Sequence, residues 1–176
     1  MKIERRWAMP SMHTFTIKPI AELLARYVGD GAGWVDPFAG ENSPAEFTND
    51  LNPAKPTRSH MEAQDFLKGF RQGTVKGCLF DPPYSVRQVK ECYEGFGREC
   101  TQEDTQMNFW SNCKNQIARI VRPSGIVICC GWTSMGIGKK RGFEMLEILL
   151  VPHGGTKNDT IITVERKVQT ALGATK

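Results

Sequence analysis

The chain has 176 residues, 40% of them hydrophobic and 24% charged, a balance that fits one globular domain with an ordinary core and excludes a disordered chain. Its longest strongly apolar stretches, Gly125–Cys130 and Ile148–Val151, are too short to span a bilayer, and Met1–Pro10 has no apolar block behind its charges, so neither a membrane nor a secreted protein is expected. The net charge of +4 and pI near 8.8 permit a nucleic-acid partner without demanding one.

Ile17–Val28 is the first periodic segment. Ile20, Leu23, Leu24, Tyr27 and Val28 fall on one helix face, with Pro19 in the first turn and Gly29 as the stop. The glycine-rich run Gly29–Gly33 precedes a strand instead of following one, so it reads as a loop and not as a dinucleotide fingerprint. Trp34–Phe38 and Glu46–Asp50 read as strands. The link between them is too short for a crossover helix, which needs roughly a dozen residues. Ser59–Gly69 reads as a short helix and Val75–Phe80 as a buried strand. Tyr84–Glu103, polar and broken by Gly95 and Gly97, is expected to be a mobile insertion. Thr105–Val121 follows as a helix, its inner face formed by Met107, Trp110, Ile117, Ala118 and Val121, with Pro123 as its stop. Gly125–Cys130 reads as a central strand, and Phe143–Val151 with Thr160–Val168 as an antiparallel pair. Strands alternating with helices and closed by a hairpin define an α/β sheet protein.

The six cysteines form no CxxC pair, and none of the three histidines stands at zinc-ligand spacing from one, so no metal is expected. Cys129 and Cys130 read as buried small hydrophobes. Without a secretion signal, reduced thiols and a cytoplasmic location are expected. Gly131–Gly136 has the outer glycine spacing of a P-loop, but Ile137 stands where its lysine belongs, so no ATPase is implied.

The chemistry concentrates in two turns. Asp81-Pro82-Pro83-Tyr84 follows an apolar strand directly, where open α/β sheets bind ligands; chance would give this tetrapeptide in about one chain per thousand. Two prolines fix the backbone and remove its donors, so a carboxylate, a rigid carbonyl and an aromatic ring project together. Asp81 and the Pro82 carbonyl suit the two N–H bonds of an exocyclic amine, while Tyr84 and Pro83 suit the ring face. The other turn, Asp36-Pro37-Phe38-Ala39-Gly40, ends the first central strand and lets a ligand approach the backbone closely. Asp50 of Asp50-Leu51 ends the next strand, where a carboxylate reaches a ribose hydroxyl. Asp65 of Asp65-Phe66 is the candidate for an adenine amino group, with Phe66 over the ring.

These two turns, in this order, resemble the S-adenosylmethionine-dependent N6-adenine DNA methyltransferases, in which a DPPY turn holds the target amine and an FxGxG turn cradles the methyl donor. The resemblance extends to the segment His13–Pro19, whose Thr16, Ile17, Lys18 and Pro19 are thereby implied to flank the cofactor, and to Asp50 and Asp65. It implies a Rossmann-like, mostly parallel sheet with a C-terminal antiparallel hairpin, S-adenosylmethionine as cofactor, DNA as partner, and a small solitary enzyme of a bacterium or a phage-infected cell. Two departures stand out. Asn42 replaces the second glycine of FxGxG, and these residues leave no room for a separate target-recognition domain. Arg87, Lys90 and Arg98, with Lys139-Lys140-Arg141, are the candidate phosphate contacts. An RNA methyltransferase with the same turn remains an alternative, as does a weakly catalytic nucleic-acid-binding subunit; a homodimer or a partner supplying recognition fits either.

Overall fold

The computed structural model describes residues 1–84, 86–95, 97, 107–155 and 158–168, except the side chains of 86, 91, 107 and 108. Its elements are β1 (Lys2–Arg5), α1 (Lys18–Tyr27), β2 (Trp34–Asp36), β3 (Phe47–Thr48), α2 (Ala63–Lys68), β4 (Val75–Phe80), α3 (Val86–Glu94), α4 (Met107–Ile120), β5 (Val121–Gly131), β6 (Phe143–Val151) and β7 (Thr160–Lys167). They build one sheet in the order β1-β6-β7-β5-β4-β2-β3. Every neighbouring pair is parallel except those of β7, which runs against both β5 and β6. This is the expected α/β sheet with its closing hairpin. None of the described helices is long and apolar enough to cross a membrane.

Both faces of the sheet are covered, and strand alternation decides which side chain goes where. Cys78, Phe80, Val127 and Cys129 join Phe66, Leu67, Cys113, Ile117 and Ile120 under α2 and α4. Leu79, Ile128 and Cys130 join Ile20, Leu23, Leu24 and Trp34 under α1. The adjacent Cys129 and Cys130 therefore enter opposite cores, and burial pushes the Cys129 thiol up to about 12.

The link from β2 to β3 contains no helix, as its length predicts. The loop ahead of β2 needs its glycines: Gly31 has φ 78°, and a Cβ there would lie 1.9 Å from the Pro44 carbonyl oxygen. After β5 the chain crosses under α4 before entering β6. Buried Glu165 accepts the Ile137 and Gly138 N–H groups at 2.5 and 3.0 Å, and the Lys114 ammonium caps the Gly136 carbonyl at 2.6 Å.

The structure departs from the sequence reading in three places. β1 is an edge strand that hydropathy could not reveal, because its only apolar residue, Ile3, is 61% exposed and backbone pairing with β6 holds it. Within segment 84–103, expected as a mobile insertion, residues Val86–Glu94 are helical. Val89 and Tyr93 bury an i, i+4 pair, and Lys90 faces Glu94 at 3.5 Å; 96 and 98–106 lie outside the described residues. Finally, α4 buries Cys113, Ile117 and Ile120, whereas Trp110 and Ala118 are only half-buried and Val121 already belongs to β5.

Candidate active site

The chain passes from β2 outwards to β3 and then returns to the other side of β2 as β4. The carboxyl ends of β2 and β4 therefore flank the switch point of the sheet, where a crevice forms between diverging connections. A cavity of about 610 Å³ opens there, a volume typical of small-molecule sites.

The turn after β2 forms one wall. Asp36 is fully buried; its carboxylate accepts the Phe38 N–H at 3.0 Å and the Ser43 hydroxyl at 2.6 Å. Burial pushes its carboxyl up to about 7, against these two hydrogen bonds. Pro37 and Phe38 line the cavity, Phe38 standing edge-on to Phe80 and Trp110 with centroids 5.7 and 5.9 Å away. Gly40, at φ 55°, turns its N–H onto Asp50 at 3.1 Å, and Asn52 N–H takes the other Asp50 oxygen at 2.8 Å. Asp50 and Leu51 also line the cavity. Asn49, 1% exposed, ties the loops together by donating to the Pro37 and Met61 carbonyls at 3.2 and 2.9 Å.

The turn after β4 forms the facing wall, and Asp81, Pro82, Pro83 and Tyr84 all reach the cavity. The Asp81 carboxylate accepts the Tyr84 hydroxyl; burial raises its pKa, while the hydroxyls of Tyr84 and of Thr14 nearby lower it. The Tyr84 N–H donates to Gln88 Oε1 at 2.7 Å, and the Tyr84 ring lies 5.6 Å from Trp132, tilted by 56°. Burial pushes the Tyr84 phenol far up, so its hydroxyl stays a donor.

Several candidates from the sequence stand elsewhere. Asp36, Ala39 and Gly40 shape the wall without lining it. Thr16 donates its hydroxyl to the His13 carbonyl at 2.8 Å, Ile17 and Pro19 are buried against α1's core, and Lys18 is exposed; Met12 and Thr14 line the cavity in their place. Asp65 lies on the outer face of α2, paired with Lys68 at 2.8 Å, and Phe66 packs in the core on Phe70. The acidic residue that this segment brings to the cavity is Glu62, the N-cap of α2, followed by Ala63.

The basic candidates divide similarly. Arg87 and Lys90 are exposed on α3, which turns Gln88, Val89, Cys92 and Tyr93 toward the cavity; Arg98 lies outside the described residues. Lys139–Arg141 form a short 3-10 turn leading into β6 at Phe143. Phe143 pairs with Lys167, one residue past the partner of Ile126, so this turn sits toward the Gly125 end of β5, whereas Asp81 follows Phe80 at the level of Cys129. Its placement there follows from β6 running parallel to β5, which brings the crossover to the far end of the sheet. Arg141 is engaged internally, donating to Asn115, Ile137 and Ser111 at 2.7, 3.2 and 3.0 Å. Among the described residues, no three His, Cys, Asp or Glu side chains gather as a metal site.

No protein-family model and no curated protein sequence matches the chain. Solved structures do. TrmN from Thermus thermophilus aligns with a TM-score of 0.58 at 16% identity, over 86% of this chain and 49% of its own, so the chain spans about half the length of that protein. The N-methyltransferase NodS from Bradyrhizobium japonicum aligns at 0.57 and 8% identity, covering 86% of this chain and 96% of its own. The Burkholderia thailandensis 1,6-didemethyltoxoflavin-N1-methyltransferase, solved with 1,6-didemethyltoxoflavin and S-adenosylhomocysteine bound, aligns at 0.55 and 12%, covering 86% and 78%. The chain thus has the Rossmann-like fold of the methyltransferases.

Proposed function

We propose that this protein is an S-adenosylmethionine-dependent methyltransferase acting on the N6 amine of adenine in DNA. The observation that carries the reading is the convergence of two turns, Pro37-Phe38 with Asp50 on one side and Asp81–Tyr84 on the other, on one cavity at the switch point of a methyltransferase fold.

The donor side fits the cofactor chemically. Phe38, Leu51 and Ala63 offer an apolar bed, and the carboxylates of Asp50 and Glu62 stand at its edges, a set suited to an adenosyl ring, a ribose diol and cationic groups. Two N–H donors already hold Asp50, and a carboxylate keeps lone pairs for a hydroxyl besides them. Bound there, S-adenosylmethionine supplies an already activated methyl group.

The work left to the chain is positioning. Asp81 and the Pro82 carbonyl accept the two amine hydrogens, drawing the nitrogen lone pair out of ring conjugation and toward the donor. Asp81 also places negative charge where the amine becomes cationic, the kind of contribution for which losing one group costs roughly 10²–10³ in rate. It must be ionised to do so. Because burial raises its pKa, transfer falls as pH drops through a range above that of ordinary carboxylates. The Tyr84 ring covers the base and offsets the stacking lost on flipping it from a duplex.

The test is nucleoside mass spectrometry after incubation with methyl-labelled S-adenosylmethionine and separate DNA and RNA pools. The expected product is labelled N6-methyldeoxyadenosine. A labelled ribonucleoside instead moves the substrate to RNA, and no label together with no cofactor binding overturns the enzyme reading in favour of a scaffold.

A further inference from the structure

The carboxylate assigned to the target amine already has a partner. Asp81 accepts the Tyr84 hydroxyl, with Thr14 close by on the cavity wall. Its other ionisable neighbours offer no substitute. Asp36, below it on β2, is committed to Phe38 and Ser43, and the buried Cys130 on β5 keeps its thiol protonated. An ionised carboxylate in so enclosed a place needs donors, and each one it lacks costs the cavity stability. An amine arriving at Asp81 therefore meets a carboxylate oxygen already engaged by the residue that should cover its ring.

The geometry lets Tyr84 leave. Its backbone is anchored by the N–H bond to Gln88, so the turn need not move, and the ring's neighbour Trp132 is 40% exposed. Rotation about the Tyr84 side chain alone takes the hydroxyl off Asp81 and frees the ring. We propose that the Tyr84 hydroxyl is a placeholder for the target amine: it satisfies Asp81 in the empty site, is exchanged for the amine on binding, and its departure releases the ring to stack on the base. The proposal rests on the methyl-transfer reading above and adds to it how the site is held when empty. Its consequence is that adenine gains little from its amine in the wild type, since one hydrogen bond to Asp81 replaces another.

The experiment compares binding of two single-stranded twelve-residue oligonucleotides, oligodeoxyadenylate and its purine counterpart lacking the exocyclic amine, to the wild type and to Tyr84→Phe, with S-adenosylhomocysteine present. Phosphate contacts cancel in the ratio of the two affinities. In Tyr84→Phe, Asp81 loses its placeholder while the ring remains, so preference for adenine over purine is expected to rise about 10- to 100-fold relative to wild type. An equal, measurable preference in both proteins overturns the placeholder and leaves the reading of Asp81 standing. No preference in either protein, or no binding, overturns both. A measurement on the wild type alone covers a variant that folds poorly. The Tyr84 ¹³Cζ resonance should move on adding the adenylate and hold on adding the purine oligomer, and an equal response to both sinks the exchange.

Discussion

Two aspartate–proline turns stand side by side on parallel strands, Asp36-Pro37 after β2 and Asp81-Pro82 after β4, yet their carboxylates have opposite fates. Register separates them first. Val35 pairs with Cys78, so Asp36 stands level with Leu79 and Asp81 projects two residues beyond it, out of the sheet and into the cavity. Partners separate them next. Asp36 is held by its own loop, through the Phe38 N–H and the Ser43 hydroxyl, and has no face toward the cavity. Asp81 is held by a side-chain hydroxyl, that of Tyr84, which can let go. A carboxylate fixed by its own backbone organises a loop; one held by rotatable donors remains open to exchange with a ligand.

The largest effect that tests this contrast is at Asp81. Asp81→Ala should lower methyl transfer by roughly 10²–10³ or more while S-adenosylhomocysteine affinity, measured by calorimetry, stays near wild type. A variant that loses cofactor affinity but turns over normally at saturation would put Asp81 on the donor side and erase the contrast. Asp36→Ala should do the reverse, stripping two donors of their acceptor and costing about 2–3 kcal/mol in chemical denaturation.

Asp36→Asn sharpens the contrast through pH. The native carboxyl sits at about 7, above its unfolded value of 3.8, so the native state binds the extra proton between these limits. Stability from this group is therefore greatest below the ordinary aspartate range and declines as pH rises toward about 7, by at most about 1.4 kcal/mol per unit. Wild type minus Asp36→Asn should show that slope across the window and flatten above it; a difference independent of pH would mean that Asp36 is ionised in the fold throughout. On the donor wall, Glu62→Gln should weaken S-adenosylhomocysteine binding about tenfold, a loss of one hydrogen bond to a charged group. Asp65→Ala should stay within about twofold, since its carboxylate points outward and pairs with the exposed Lys68. Smallest of all, Lys139→Ala with Lys140→Ala should leave nucleic-acid affinity unchanged in a filter-binding titration, given their place at the far end of β5.

The sequence showed most where a residue's role depends on its own strand. β4 and β6 have the bounds that hydropathy predicts, and Asp81-Pro82-Pro83-Tyr84 follows β4 as read, because an apolar run ended by proline leaves few alternatives. It showed least where a role depends on where a helix begins or on a distant partner. Asp65 lies on the exposed face of α2, whereas Glu62 is its N-cap with extended backbone (φ −54°, ψ 135°), so helix periodicity does not relate them and only the start of α2 at Ala63 decides which one meets the cavity. α3 was obscured by its charges, although Val89 and Tyr93 carried the spacing of a buried face. β1 had no local signal at all, since its partner strand lies far along the chain.

That last feature bears on how the chain acquires its site in time. Lys2 reaches Glu147 across 145 positions, and Arg6 N–H bonds to the Leu150 carbonyl, so the strap that leads to Met12 and Thr14 has nowhere to dock until β6 has been made. Contacts of such separation close late and slowly. A ribosome-bound chain halted before β6 can form the β2–β4 pairing and the Asp81 turn, yet it lacks the wall that Thr14 supplies. Completion of the cavity is thus tied to synthesis of β6, Phe143–Val151.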